Sequence, residues 1–585
     1  MLEPPMPRLT RRWTPAPDPV RPVERQQNQT PNDAAGRLTD ALGVSPLMAR
    51  LLVRRGMLAP ETATDFLNAG SHQCLDYWGI HDLPEAVSII HSFIQSSNPI
   101  TIYGDYDVDG LTGSTILYWV LKKLTATVDI HIPHRNKDGY GLSIEAIRRV
   151  ALRGTKLLIT VDNGTTSVQE IRAAREMGMV VIVLDHHQPG AERPDVAALI
   201  NPHQSACNYP FKGLASVGLA YKLGRALLER APRPATGEAL QRYADACLDL
   251  VAVGTIADMA PLTGENRALV REGLGQLATT RHPGLRGLLD LQTDKSKVVD
   301  SDTVAFQIAP RLNAASRIAD PRQALSLLLV RDQAEGRVLA RNLDALNRKR
   351  RRMVDQLYRE ALDKRDQWLD QAFPIVILPD SYVGLMGLIA QRLKDDLHRP
   401  VFALALKDGI AAGSGRSVPG YPLTEALDSA GAHTLRHGGH HEAAGVTVAE
   451  GQLEEFIAAM QAHARKNLNP DARPDIPIEA QLGEADLTAD LIEELGRLEP
   501  HGMANPRPIF AVNRVRVRGL ERMGQGGRHA ILEAPGMKHL KILGYGLGER
   551  SEEIVATRTY LDLAGVLRFD RGSPTMILED IRESQ

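Results

Sequence analysis

Three carboxylates alternate in "YGDYDVDG", residues 103–110. Asp105, Asp107, Asp109 and Gly110 match the first half of an EF-hand calcium loop. That loop needs a bidentate Glu at its twelfth position, and the twelfth residue counted from Asp105 is Ile116. It also needs a preceding helix, whereas "NPITIYG" is apolar and β-branched after a proline, which predicts a short buried strand. Calcium sensing is thereby set aside, and the acids fall where a strand ends. Three further places place acids or histidines just past an apolar run: Asp162 in "ITVDNG", Asp185-His186-His187 in "VIVLDHH" and Asp258 in "VAVGTIADMAPL".

One Asp at a strand end is ordinarily a turn or cap residue. Four such places in order carry more. The first three runs read as parallel strands, whose C-terminal ends face one crevice, so these carboxylates converge although distant in sequence. The run over 248–262 is strand or helix by periodicity alone. Clustered carboxylates repel and raise one another's pKa values unless cations compensate. Oxygen ligands with one or two imidazoles suit Mn²⁺ or Mg²⁺. A pair of such ions roughly 3.5–4 Å apart activates water and stabilises a leaving oxygen. The chemistry implied is hydrolysis of a phosphoester or phosphoanhydride.

The elements that position these groups follow from the pattern. "PITIYG", "TVDIHIP", "TKLLITVD" and "MVVIVLDHH" are short strands separated by helical stretches, which predicts an α/β fold with a doubly wound, mostly parallel sheet. Residues 36–335 form this lobe, with a helical N-terminal part over 36–95. Residues 1–35 are Pro- and Arg-rich and read as a disordered tail. Residues 337–373 contain neither Gly nor Pro, so 336–373 read as a long bridging helix. A second α/β lobe spans 374–466. Residues 467–585 begin with the Pro-punctuated linker "NLNPDARPDIP" and continue as short β-like runs, predicting a C-terminal OB-like β-barrel.

At 585 residues the chain needs several cores. A net charge of −2 leaves any nucleic-acid binding to local basic paths, and 4% aromatics limit an extended base-stacking surface. Cys74, Cys207 and Cys247 show no CxxC spacing, which argues against zinc ribbons and disulfides and for a reducing compartment. No apolar run reaches the length of a membrane span, and the N-terminus lacks a signal-peptide core, so a cytoplasmic location is expected.

"DYDVDG", "VDNG", "LDHH" and "GTIADMAPL" resemble the successive motifs of the DHH phosphoesterase family. "PHRNKDGYGL" (133–142), "APRLNAASR" (309–317), "GSGRS" (413–417) and "GGHHEAAG" (438–445) narrow the resemblance to the RecJ family of single-strand-specific 5′-to-3′ exonucleases, over residues 40 to 585. The resemblance implies two lobes clamped around a narrow channel, the second being a DHH-associated domain. It implies that Asp105, Asp107, Asp162, His186 and Asp258 hold two Mn²⁺ or Mg²⁺ ions, with Asp109 coordinating or supporting the loop. Asp185 would orient the neighbouring imidazole, and His187 would face the scissile phosphate. Arg317, Ser414 and Arg416 would hold the 5′ end and its phosphate, Arg135 the backbone, and His440 the substrate. The guanidinium fork and the Gly-flanked loop suit an anion.

By the same resemblance, the substrate is single-stranded DNA with a 5′ end, degraded to mononucleotides in DNA repair and recombination. The expected partners are a single-strand-binding protein and a helicase, and the protein is expected to be a monomer. Two alternatives stand beside this: a non-catalytic replication scaffold of the same fold, and a small-substrate phosphoesterase. Several relatives carry His where this chain has Tyr103, and a Trp-His pair where it has Ser381 and Tyr382, so a metal contact and a second-lobe contact are in question. Ala504 in "PHGMANPRP" stands where Gly is usual. Arg514, Arg516 and Arg518 alternate and would share one face for the strand.

Overall fold

The computed structural model describes residues 11–16, 31–135, 138–139, 141–292, 298–469, 472–557, 559–570 and 572–584. Its strands are β1 (Arg12–Pro15), β2 (Ile100–Gly104), β3 (Val128–His131), β4 (Leu157–Val161), β5 (Val180–Leu184) and β6 (Ala198–Ile200). They continue with β7 (Ile375–Pro379), β8 (Val401–Lys407), β9 (Ile410–Arg416), β10 (Arg436–Gly439), β11 (Ala443–Ala449) and β12 (Asp475–Leu482). The last are β13 (Ile509–Arg516), β14 (Gly519–Met523), β15 (His529–Glu533), β16 (Lys541–Gly544), β17 (Tyr560–Asp570) and β18 (Ser573–Glu583).

The first lobe is built on a parallel sheet of order β3-β2-β4-β5-β6. Every residue of β2 and β4 is buried, as their unbroken apolar runs require when helices cover both faces. The chain goes one way from β2 to β3 and returns to β4 on β2's other side, so the topological switch point lies between β2 and β4.

The second lobe carries a mixed sheet of order β10-β11-β9-β8-β7, in which only β7 and β8 pair in parallel. Between the lobes runs the helix Gln333–Asp363, 31 residues and therefore about 46 Å long. Ala340 and Leu343 near its start join the first lobe's core, whereas Leu357, Tyr358 and Ala361 near its end join a core of the second. The helix stops short of the expected 373. Its end folds back, with the buried Trp368 indole donating to the Ala361 carbonyl at 3.1 Å.

The C-terminal part is an eight-stranded mixed sheet of order β1-β12-β13-β17-β18-β16-β15-β14. Two expectations about the N-terminal region are corrected here. Leu38, Met48, Leu52 and Phe66 pack with Phe510, Leu563 and Ile581, so the first three helices belong to the C-terminal core rather than the first lobe. Within the expected tail, β1 pairs in parallel with β12, Arg12 opposite Asp475. Trp13 anchors it: the indole N–H donates to Asp580 at 2.8 Å and the Arg582 guanidinium lies 3.9 Å from the ring centroid. The helix Pro31–Leu42 also begins within 1–35. The rest of that stretch lies outside the described residues. Composition could not reveal a strand held by one aromatic side chain. The 248–262 run is resolved as the helix Gly237–Ala257, ending at Asp258.

Candidate metal centre and phosphate groove

Register creates the site. Gly104 pairs with Val161, Val161 with Leu184 and Leu184 with Ile200, so the strands end level. The next residues, Asp105, Asp162, Asp185 and Asn201, therefore form a row along the crevice edge. The ladder continues through the acids: Asp105 N–H donates to Val161 at 3.1 Å, Asp162 N–H to Leu184 at 2.9 Å, and Asp185 N–H to Ile200 at 3.1 Å.

Each acid has a distinct environment. Asp105 is buried, and neither carboxylate oxygen has a hydrogen-bond partner among the described residues. Gly110 allows its backbone to close in, since a Cβ there would sit 2.7 Å from Asp105 N and O. Asp107 caps the helix Val108–Lys123, accepting from Gly110 N–H at 3.1 Å. Asp109 accepts from Ser216 N–H and Val217 N–H, each at 2.8 Å, at the start of the helix Ser216–Glu229. Each oxygen of Asp109 thus accepts one backbone N–H that fastens that helix and retains lone-pair capacity toward a cation. Asp162 sits at φ +67°, a left-handed conformation costly for a side chain bearing Cβ and typical of functional sites.

His186 joins these groups. Its Nε2 lies 3.3 Å from Asp162 Oδ1, 3.7 Å from Asp258 Oδ2 and 4.0 Å from Asp109 Oδ2, with no hydrogen bond among the described residues. Burial, then the nearby His187 charge, lowers His186 to about 4, leaving a neutral imidazole. Three sets of ligand atoms lie close enough to share a cation: Asp162 with His186 and His187, Asp109 with His186 and Asp258, and Asp105 with Asp107 and Asp162.

The electrostatics match the geometry. Burial and then Asp107 raise Asp105 well above the carboxylate range, and burial with Asp107, Asp109, Asp258 and Asp105 does the same to Asp162. Burial, then Asp109 and Asp107, push Asp258 up to about 9. An orphaned imidazole nitrogen among carboxylates, beside an unpaired buried Asp, fits divalent cations with hard oxygen ligands and one histidine.

Asp185 behaves differently. Although burial opposes its charge, bonds to His187 and Thr165 hold it below the usual range. It accepts from His187 Nδ1 at 2.7 Å, from His186 N–H at 2.8 Å and from Thr165 N–H at 3.0 Å. The imidazole it orients is therefore His187, two residues on, rather than its immediate neighbour.

Sequence reasoning missed two residues here. The Ser216 hydroxyl donates to Asp162 at 3.0 Å. Asn201 donates to the His187 carbonyl and to Thr165 Oγ1, each at 2.9 Å. Asn201 could have been found as the residue ending the next apolar run, "VAALIN". Ser216 carried no such signal. Tyr103, by contrast, is buried with Leu142, Ile147 and Leu158, and its hydroxyl donates to the Gly141 carbonyl at 3.1 Å, which ties the loop carrying Arg135.

A cluster of arginines adjoins these acids. Arg135 lies 5.3 Å from the centroid of Tyr106, the residue after Asp105. Arg317 donates to the Gly384 carbonyl at 3.1 Å across the lobes, and Arg416 to the Gly415 carbonyl at 2.8 Å. A Cβ on Gly387 would sit 3.1 Å from Arg416 Nη2, so glycine leaves room for that guanidinium. Burial, then the charges of Arg135, Arg350 and Arg416, lower Arg317 to about 9. Ser414 and Arg416 are two apart on β9, half-buried on one face. Guanidiniums from both lobes that repel one another suit a shared anion.

His440 lies exposed where β10 turns into β11, its N–H donating to Ala443 at 2.8 Å. Among the described residues, every group able to hold a metal lies in the first lobe, so His437, His440 and His441 form none. Tyr382, the N-cap of the helix Val383–Leu397, is exposed. Arg514, Arg516 and Arg518 are exposed, alternating with buried Val515 and Val517.

Family models match three stretches: "DHH family, N-terminal domain" over 99–255, "DHHA1 domain" over 380–466 and "RecJ OB domain" over 478–573. The single-stranded-DNA-specific exonuclease RecJ of Bacillus subtilis is 36% identical over 571 residues, covering 96% of this chain and 71% of the relative. The crystal structure of RecJ in complex with Mn²⁺ from Thermus thermophilus superposes with a TM-score of 0.80 at 31% identity, covering 99% of this chain and 80% of that one. The corresponding Mg²⁺ complex gives 0.75 at 29% identity, covering 99% and 79%.

Proposed function

The chain belongs to the RecJ family, and from that premise we infer that it is a metal-dependent exonuclease specific for single-stranded DNA. It hydrolyses phosphodiester bonds from the 5′ end and releases mononucleotides. The observation that carries this reading is the level row of Asp105, Asp162 and Asp185 at the switch point, facing His186 and Asp258.

Asp105, Asp107, Asp162, His186 and Asp258 would hold Mn²⁺ or Mg²⁺, which when bound supply Lewis-acid charge for water activation and leaving-group stabilisation. The chain's own residues do the rest. Asp109 fixes the helix that brings Ser216 to Asp162. Asp185 holds His187 by Nδ1, and burial notwithstanding, that bond raises His187 to about 9. That bond favours the protonated form of His187, suited to donate a hydrogen bond to a phosphate oxygen as charge develops there. Arg317, Ser414 and Arg416 bind the 5′ phosphate, Arg135 the adjoining backbone and His440 the strand nearby. Roles in DNA repair and recombination follow from the preference for single strands.

Such strands would come from a helicase, with a single-strand-binding protein holding them open, and the enzyme would act as a monomer in the cytoplasm. No helix among the described residues is long and apolar enough to cross a membrane. The full set of acids argues against a non-catalytic scaffold, and the arginine cluster and C-terminal domain against a small substrate.

The reading is tested with one strand labelled at its 5′ or its 3′ end, alone and annealed. Immediate mononucleotide from the 5′ label, a slowly shortening ladder from the 3′ label, and an intact blunt duplex support it. A 5′-label ladder or equal duplex cleavage would reject it.

A further inference from the structure

The bridging helix Gln333–Asp363 turns one face inward along its length. Positions 336, 340, 343, 347, 350, 354, 357 and 361 recur at alternating intervals of four and three, so they share that face. Gly336, Ala340 and Leu343 are buried against the first lobe, and Val354, Leu357 and Ala361 pack in a core of the second. Between Leu343 and Val354, about 16 Å of helix, the same face carries Asn347 and Arg350. The stripe is therefore polar only where the helix leaves one core and enters the other.

Neither side chain is satisfied within the protein. Asn347 is 2% exposed, and its Oδ1 has no hydrogen bond among the described residues. The Nε of the half-buried Arg350 is likewise enclosed and unpartnered. Arg350 forms no ion pair among the described residues, and the acids nearest along the helix are engaged: Asp344 by Arg311 at 2.8 Å and by Arg348, Asp355 by Arg392 at 2.9 Å. The arginine cluster lies close by. Arg317 sits on the helix Ala309–Ile318, which packs on the bridging helix, and its carbonyl would meet a Cβ on Gly384 at 2.7 Å, where the two lobes touch. After burial and Arg135, Arg350 is the next influence lowering Arg317, ahead of Arg416, and Tyr106, the neighbour of Asp105, acts on the same guanidinium. Arg350 thus brings a further guanidinium, from a third element, to the space between the lobes. A cation held there without a partner is costly until an anion arrives.

We infer that Arg350 is a further substrate residue, which holds one phosphate of the single strand from the bridging helix. The inference rests on the exonuclease reading for the identity of the strand. The phosphate is either the one at the 5′ end or an internal phosphodiester, and a guanidinium fork fits the oxygens of both.

The test reads affinity by fluorescence anisotropy in EDTA, so that no strand is cut, with wild type, Arg350→Met and Arg352→Ala. The strands carry a 5′ phosphate, a 5′ hydroxyl, or one uncharged methylphosphonate moved stepwise along the linkages nearest the 5′ end. Arg350→Met should bind the phosphorylated strand about tenfold more weakly. Neutralising one phosphate should cost wild type a similar factor, and at that phosphate Arg350→Met should lose nothing further, as coupled partners require. Coupling at the 5′ end assigns the terminal phosphate, and coupling at a linkage assigns that phosphodiester. Arg352→Ala, exposed and two residues on, should bind within about twofold of wild type. Arg350→Met should melt no lower than wild type, since it removes an unpaired half-buried charge and keeps an unbranched stem. Losses that add at every position, no loss at all, or an equal loss in Arg352→Ala overturn the assignment, and a lowered melting temperature with additive losses marks a packing role instead. Arg350-dependent binding by a wild type that cleaves nothing with Mn²⁺ or Mg²⁺ is a different failure, which removes the exonuclease reading and leaves the phosphate contact.

Discussion

The hydroxyl of Ser216 donates to Asp162 Oδ1 at 3.0 Å, while the N–H of the same residue donates to Asp109 at 2.8 Å. One residue at the start of a helix thereby joins the first turn of the helix Val108–Lys123 to the loop after β4. Asp162, held at φ +67°, has its carboxylate oriented by this bond.

Ser216→Ala should therefore weaken Mn²⁺ binding about 10-fold or more, as loss of a group supporting a ligand does. The N–H bonds to Asp109 remain, so the melting temperature should change little.

Without divalent ions the fold should lose stability as pH rises. Burial and then Asp107 push Asp109 up to about 7, and burial with Asp109 and Asp107 takes Asp258 to about 9. An unfolded aspartate titrates near ~3.9, so the folded state binds more protons between that pH and these raised values. The stability is present in full below about 4 and is lost as pH climbs through about 7 and 9. Thermal melts in EDTA should show a falling midpoint from pH 5 to pH 9, and added Mn²⁺ should shift the midpoint more at pH 9. A flat EDTA profile would contradict the crowding of acids.

Activity should fall on the alkaline side as His187 loses the proton that Asp185 helps hold, against burial, above the ordinary imidazole range. Asp185→Asn removes the charge that holds that proton. The alkaline limb of kcat, measured at saturating Mn²⁺, should then move to lower pH, and kcat itself should drop by about 100-fold or more. A limb that stays in place would mean His187 does not carry the proton that matters.

The arginine cluster predicts a preference for a phosphorylated 5′ end. Arg416→Ala should raise KM for a 5′-phosphorylated strand by about 10-fold or more, since a charge-assisted fork to phosphate is lost. The same change should matter far less for a 5′-hydroxyl strand. Comparison of the two KM ratios separates phosphate recognition from a general loss of packing.

The acids were legible in the sequence because parallel strands ending level turn scattered strand-end residues into one row. Asp105, Asp162 and Asp185 needed only the apolar runs before them. Asp258 was legible as a chemical group but not as part of an element, because a buried helix and a buried strand share the same apolar run. Ser216 was hidden, since its role depends on where the helix Ser216–Glu229 arrives in space. Asp109 reads as a ligand in the motif, and its further part as a brace for the helix Ser216–Glu229 is visible only in its two N–H partners. The packing of Phe66 on the C-terminal core and the strand at Arg12–Pro15 are contacts across more than four hundred residues, which no local pattern encodes.

The most direct test of the central claim measures Mn²⁺ binding by calorimetry and mononucleotide release from a 5′-phosphorylated single strand, on wild type and Asp162→Asn. Wild type should bind two ions and degrade the strand, and EDTA should stop it. Asp162→Asn should lose high-affinity Mn²⁺ binding and nearly all release while still retaining the strand in a mobility-shift assay. Full Mn²⁺ binding and unchanged release by Asp162→Asn would contradict the account, because the row of strand-end carboxylates would then not be the catalytic centre.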